Sequence, residues 1–191
     1  CADERIVPKP LPASVLDDFA NHRRGPHVLA DPNFRIWGLS VIRWSDGKYH
    51  GYYGRWPKEL GHDGWLTDTE IVHSVADRPE GPFVPTGVVL VSRNPSGWDL
   101  ANAHNSYAIV AEGKICLYYI SNKLAGKFEP VGTNPLPTDQ WLRDKARNWK
   151  TIRNSQCIGV AIANRPEGPF VRAEKPVVEP SADQPFTNIA V

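Results

Sequence analysis

One six-residue segment occurs twice in this chain. Arg78-Pro79-Glu80-Gly81-Pro82-Phe83 returns unchanged as Arg165-Pro166-Glu167-Gly168-Pro169-Phe170, an offset of 87 residues (78 to 165). Each copy stands between two short apolar runs: Thr69–Val75 and Gly87–Val91 around the first, Cys157–Ala163 and Pro176–Val178 around the second. Upstream, a Gly-Lys turn recurs as Gly47-Lys48 and Gly113-Lys114, an offset of 66 residues (47 to 113). It separates Ile36–Ile42 from Tyr49–Tyr53 in the first unit and Tyr107–Val110 from Ile115–Ile120 in the second. Asp46-Gly47 between two such runs is a hairpin signal. The same order of about four strands is therefore written twice. The two offsets differ by 21 residues (87 against 66), which is an insertion in the second unit between Ser121 and Asn154.

A repeat of this kind predicts an all-β chain, a β-propeller in which each repeat is one four-stranded blade. The density of turn formers agrees: 15 Gly and 18 Pro favour many short elements over long helices. The expected organisation is an N-terminal extension at 1–35 with a short helix at Ser14–Phe19, where Ser14 can cap. Blade 1 then occupies 36–101 and blade 2 occupies 102–185, with a partly helical insertion at 122–154. Phe186–Val191 reads as the start of a third blade. A propeller needs roughly four to eight blades, so the chain reads as the N-terminal portion of a larger protein. A two-sheet sandwich is the alternative. In the insertion, a helix is expected from Thr138 to about Ile152, with Leu142, Ala146 and Trp149 on one face. Its Arg and Lys residues read as a solvated face rather than an anion site.

Charge narrows the function classes. Lys+Arg 22 against Asp+Glu 21 leaves a net charge of +1, which argues against a dedicated nucleic-acid binder. No apolar run is long enough to span a bilayer as a helix. Three cysteines make no disulfide framework, and Cys116 and Cys157 read as buried free thiols. The chain starts at Cys1 and contains no Met, which fits a processed or truncated product. A lipid anchor on Cys1, as in a bacterial lipoprotein, is one reading; a fragment boundary is the other. The expected location is secreted, periplasmic or envelope-anchored. The sequence has no phosphate-binding glycine loop, dinucleotide fingerprint, zinc spacing or nucleophile elbow, so no metal site and no required cofactor are expected. His50, His62 and His73 are scattered and read as structural or exposed.

Several stretches taken together resemble a known family. They are Trp37-Gly38-Leu39-Ser40-Val41-Ile42, Asp46-Gly47-Lys48-Tyr49-His50, Gly54-Arg55-Trp56-Pro57, Thr69-Glu70-Ile71-Val72-His73-Ser74, Ala103-His104-Asn105-Ser106 and Gln156-Cys157-Ile158-Gly159-Val160-Ala161. In this order they resemble the five-bladed propeller glycoside hydrolases of the family forty-three type. The resemblance implies hydrolysis of a poly- or oligosaccharide at the central mouth of the propeller. It also implies acids at the starts of successive innermost strands, one as base, one tuning it and one as general acid. A Ca²⁺ ion in the channel is expected by analogy only.

The chain departs from that pattern. Gly38-Leu39 stands where the family opens its first innermost strand with Asp-Pro, and Asn105 stands where a carboxylate is expected. Substitute acid/base candidates are Asp31, Glu70 and His104. Asp31 precedes Pro32 and can equally form a turn. Glu70 lies in an apolar strand and needs a partner, for which Arg55 is the natural choice. His104 begins the second innermost strand and can act as acid or base near neutral pH. Candidate sugar contacts are Trp37, Arg55, Trp56, Asp99, Asn102 and Asn105, with Trp98 as a further aromatic. Asp99 can instead cap a turn. A non-catalytic carbohydrate-binding propeller is the alternative function, favoured by the missing innermost carboxylates.

Overall fold

The computed structural model describes residues 29–94, 97–124, 140 and 144–180. Eight strands form two sheets. The first contains β1 (Phe34–Arg43), β2 (Tyr49–Pro57), β3 (Glu70–Ala76) and β4 (Val84–Leu90), in that order. The second contains β5 (His104–Ala111), β6 (Lys114–Asn122), β7 (Gln156–Ala163) and β8 (Val171–Arg172), again in order. All neighbours are antiparallel, so each sheet is a simple meander. Two short 3₁₀ turns, Lys58–Leu60 and His62–Leu66, link β2 to β3, and one helix, α1 (Lys145–Asn154), precedes β7. The predicted helix at Ser14–Phe19, the start of the helix predicted from Thr138, and Phe186–Val191 lie outside the described residues, Gln140 excepted.

The repeated hexapeptide makes the same connection twice. In both copies the glycine N–H donates to the carbonyl of the first Arg, at 3.0 Å, and the Gly-Pro bond is cis. Gly81 and Gly168 have φ of 85° and 92°, a region closed to most side chains. This turn joins β3 to β4 and β7 to β8, so one local sequence rule sets the outer edge of both sheets. The outer strand of the second sheet starts earlier than the sequence predicts. It pairs at Val171–Arg172 directly after the turn, and pairing resumes where Val178 bridges Ile158. Pro176 lies between these pieces and has no N–H to give to the ladder.

The core lies between the sheets. Tyr52, Ile71 and Leu90 of the first sheet pack with Ala108, Leu117, Tyr119 and Ala161 of the second. The innermost strands β1 and β5 lie side by side, with β2 also against β5. Polar contacts lock the seam. The Tyr52 hydroxyl donates to the Pro166 carbonyl at 2.8 Å, the Ser106 hydroxyl to the Tyr52 carbonyl at 3.0 Å, and the Ala108 N–H to Ser40 Oγ at 2.9 Å. Two successive meanders joined through their first strands are the arrangement of neighbouring propeller blades. A second, smaller core of Leu66, Leu100, Ala101, Leu124 and Ile152 lies beside Trp65 and Trp149.

Tyr52 and Pro166 are both buried, so their hydrogen bond is shielded from water. Replacing Tyr52 by Phe strands the Pro166 carbonyl while keeping the ring, and is expected to cost about 1 kcal/mol. Urea unfolding of Tyr52→Phe should show a lower midpoint at unchanged slope.

Candidate functional site

Because every strand is antiparallel to its neighbour, one rim gathers the starts of β1, β3, β5 and β7 and the ends of β2 and β6. The repeated turns sit at the opposite rim. A cleft of about 390 Å³ opens at the first rim between the two sheets. One wall carries Trp37, Gly54 and Trp56; the 3₁₀ turn contributes His62, Asp63 and Trp65; the far side holds His104, Asn105, Trp149, Arg153 and Gln156.

Two backbone irregularities aim side chains into it. Gly38 has φ of 55°, and the β1–β2 register shifts there: Trp37 pairs with Gly54, yet Leu39 pairs with Tyr53. Trp37 and Leu39 would share a face in a regular strand. The bulge puts Trp37 on the cleft side and Leu39 on the other. The Gly-Leu pair that departs from the family pattern is therefore the device that presents Trp37. At β5, Asn105 has φ of 47°, a region Asn tolerates better than most residues, and the ladder slips between His104 and Tyr107. Consecutive strand residues normally point to opposite faces; here both His104 and Asn105 line the cleft.

The aromatic walls are layered. Trp37 is 47% exposed at the mouth. Beneath it Trp56 is buried, centroid to centroid 6.2 Å, with its indole N–H donating to the Gly61 carbonyl at 2.9 Å. His62 flanks Trp37 at 5.9 Å. Opposite, Trp65 meets Trp149 edge-on at 6.0 Å and His104 at 5.3 Å. Trp149 and Arg153 are four residues apart on α1 and so share one helix face. The Arg153 guanidinium carbon lies 5.7 Å from the Trp65 ring centroid.

His104 is buried, with 4% of its surface exposed. The Gln156 side-chain nitrogen donates to its Nε2 at 3.0 Å, which leaves the proton on Nδ1. Among the described residues, Nδ1 has no hydrogen-bond partner. Burial lowers the His104 pKa to about 4; the nearby Asn105 side chain opposes the shift without completing a bond to Nδ1, and the Arg153 charge adds to it. The imidazole is thus neutral near pH 7, with an N–H donor in a cleft wall.

Asp31 and Glu70 stand elsewhere. Arg55 alternates with Gly54 and Trp56 on β2, so it projects from the opposite face of the sheet. Glu70 pairs with Arg55 across the ladder; the Arg55 Nε donates to Glu70 Oε1 at 2.9 Å, and Nη1 lies 3.4 Å from Asp31 Oδ2. Asp31 Oδ1 accepts the Asn33 N–H at 3.0 Å, so Asp31 forms the turn and the ion pair together. The guanidinium also lies over the Phe34 ring at 4.1 Å. Tyr53 is on this face, its buried hydroxyl without a partner; burial raises its pKa, and the Arg55 charge offsets part of the rise. The three acid/base candidates are therefore divided by the β2–β3 sheet.

Asp99 and Asn102 are spent on structure. Asp99 is fully buried, accepts the Tyr119 hydroxyl at 2.8 Å and pairs with Arg172. Trp98 stacks on Tyr119 beside it, away from the cleft. Asn102 donates to the Leu66 carbonyl at 2.6 Å and accepts from the Asn122 amide at 3.2 Å, holding the turn that carries Trp65. Sequence reasoning missed Trp65, Trp149, Arg153 and Gln156 as site residues. Gln156 had a signal in its family motif; Trp65 depends on the 3₁₀ turn between β2 and β3, and Trp149 and Arg153 on how the insertion folds back. His50 and His73 form a buried pair, Nδ1 to Nε2 at 2.9 Å, on strands that lead away from the cleft rim.

Among the described residues, no group of three or more His, Cys, Asp or Glu side chains is arranged to hold a metal ion. No described helix is long and apolar enough to cross a membrane. Cys116 and Cys157 are free thiols, and burial raises the Cys157 pKa to about 11.

No protein-family model and no curated protein matches the chain in sequence. Solved structures do match in fold. Zg3597, a family 117 glycoside hydrolase from the marine bacterium Zobellia galactanivorans, is 26% identical at a TM-score of 0.51, over 78% of this chain and 34% of that one. The GH43_1 enzyme from Xanthomonas citri, solved with xylotriose, is 19% identical at 0.54, over 86% and 39%. The RS223 β-xylosidase is 20% identical at 0.50, over 76% and 37%. The fold is that of the five-bladed propeller glycoside hydrolases. The chain spans between 34% and 39% of the length of these three structures.

The buried histidines make stability pH-dependent. An unfolded His104 titrates near 6.5, the folded one near 4. As pH falls from about 6.5 to 4, the unfolded chain gains a proton that the folded chain refuses, so stability drops across that window. His73, held to about 4 by burial and by His50, acts in the same direction. His104→Gln should make the loss between pH 7 and pH 5 smaller by on the order of 1–2 kcal/mol, measured by urea unfolding at each pH.

Proposed function

We propose that this chain forms part of a glycoside hydrolase that cleaves a poly- or oligosaccharide, with sugar bound in the cleft at the strand-start rim. The layered aromatic cleft carries this reading. An exposed indole backed by a buried one offers a flat apolar platform for the C–H face of a pyranose. The neutral imidazole of His104 and the amides of Asn105 and Gln156 offer the directional hydrogen bonds that sugar hydroxyls require. The fold of propeller glycoside hydrolases supports the reaction class.

Asp31 and Glu70 face away from this cleft and form a structural ion-pair cluster with Arg55, so in this proposal the carboxylates of the reaction are not this pair. Glycoside hydrolysis needs one carboxyl group to activate water or attack the sugar and another to protonate the leaving oxygen. Arg55 holds both carboxylates of the pair and keeps them from repelling each other. His104 donates from Nδ1 to a bound oxygen.

A second reading, a non-catalytic carbohydrate-binding propeller, has one observation in its favour. Among the described residues lining the cleft, Asp63 is the single carboxylate, while Asp31 and Glu70 project from the other face of the sheet.

The test pairs turnover with binding on a panel of plant and algal oligosaccharides. Trp37→Ala is expected to weaken sugar binding about tenfold, as loss of one stacking surface would. Asp31→Asn and Glu70→Gln, on the reverse face of the sheet, should leave kcat within about threefold of wild type. Saturable binding by the wild-type chain without turnover would support the binding module instead. A loss of about 100-fold in kcat in either variant would bring Asp31 and Glu70 into the mechanism.

A further inference from the structure

Among the described residues, Arg153 has no counter-charge. No carboxylate among them lies within ion-pair distance of its guanidinium, and its one contact of note is the face of Trp65. Other arginines near the rim are committed: Arg55 to Asp31 and Glu70, Arg93 to Asp68, Arg172 to Asp99. Cation–π contact with an indole holds the guanidinium in place and leaves its N–H fork open. That fork lines the cleft.

The second observation is independent. His104 touches the same indole from another side, 5.3 Å between ring centroids, and is 4% exposed. Its Nδ1 is a buried donor with no partner, and such a group is costly to leave unmade. Gln156 holds the ring from Nε2 and so fixes which nitrogen offers the proton. A cation and a neutral N–H donor thus flank one Trp65 ring, both lining one cleft. Burial, with a smaller contribution from the Arg153 charge, keeps His104 neutral, so the pair is not two cations in repulsion.

The geometry points to an acidic sugar as the ligand: a glycan whose anionic substituent, a uronate carboxylate or a sulfate ester, sits between the guanidinium of Arg153 and the Nδ1–H of His104. This inference rests on the carbohydrate reading above and names the substrate class for that site. The fork of an arginine matches the two oxygens of a carboxylate or of a sulfate group, and charge-assisted bonds of this kind are the strong ones. A neutral sugar would satisfy the imidazole and leave the guanidinium uncompensated. The cleft is selective in charge at one end. Asp63 lies on the 3₁₀ turn, beside His62, which flanks Trp37 at the mouth. An anion is therefore favoured on the Arg153 side, and a ring hydroxyl at the Trp37 side. The insertion that interrupts the repeat supplies this specificity, since α1 carries both Arg153 and Trp149.

The test is calorimetric titration of the full chain with three matched probes: galactotriose, trigalacturonate and a sulfated galactotriose. Wild type should bind at least one anionic probe about tenfold or more tightly than galactotriose. Which anionic probe wins separates carboxylate from sulfate. Arg153→Gln should remove that preference, bringing the affinities for the anionic and neutral probes to within about threefold of each other; a thermal melt checks that the variant is folded. In parallel, the histidine-ring NMR signal of Nδ1 in His104 should move with the anionic probe and move less in Arg153→Gln. Equal affinity for neutral and acidic probes, or an unchanged preference in Arg153→Gln, overturns the proposal and leaves the carbohydrate reading standing. Binding to none of the three probes, with no shift at His104, overturns both.

Discussion

Tyr52 sits at zero exposure between the two sheets, its ring against Phe170 and His73 and its hydroxyl on the Pro166 carbonyl. That one residue fixes which face of β2 belongs to the seam. Strand alternation then assigns the rest: Gly54 and Trp56 fall on the seam side and build the cleft, while Tyr53 and Arg55 fall on the reverse. The division of the candidate acids follows from the same parity. Glu70 opposes Arg55 in the ladder and must share its face. No side-chain rearrangement can bring Glu70 into the cleft without a register slip, which would also expel Tyr52 from the core.

Buried polar groups sort into two kinds. Asp99 and Asn102 are satisfied by side chains and carbonyls around them, and they brace loops: Asp99 ties Tyr119 to Arg172, and Asn102 ties the Trp65 turn to β6. Among the described residues, His104 Nδ1, the Tyr53 hydroxyl and Asn122 Oδ1 keep an unmade bond. An unsatisfied buried donor lowers stability, so its persistence is most economically explained where a ligand or another chain segment completes it. His104 lines the cleft, while Tyr53 lies on the reverse face of β2.

Much of the fold was legible because the repeat carries local rules. A Pro-Glu-Gly-Pro turn with glycine at positive φ reads the same in both sheets, and the strands on either side follow from apolar runs. Their edges moved by a few residues, as at Pro176, where the missing N–H interrupts pairing. The site was legible only in part. Trp37 and His104 could be named because they sit at strand starts. Asp99 looked like a site residue because a carboxylate in a loop carries no mark of its eventual partner, and Arg172 is 73 residues away in sequence. Arg153 read as a solvated charge because helix periodicity gives the face of a residue but not what that face meets.

The last point ties function to the insertion. A strict repeat would give the second sheet a connection between β6 and β7 like the one between β2 and β3, where 3₁₀ turns bring Trp65 to the rim. The second sheet departs from that pattern, and α1 there packs Ile152 into the small core with Leu66 and Leu124. Burying Ile152 orients the helix, and the residues one step on and three steps back, Arg153 and Trp149, are then turned toward the cleft. The two connections meet at Trp65 against Trp149. The repeat builds the scaffold and its seam, while the break in the repeat furnishes the side chains that distinguish this cleft from a symmetric one.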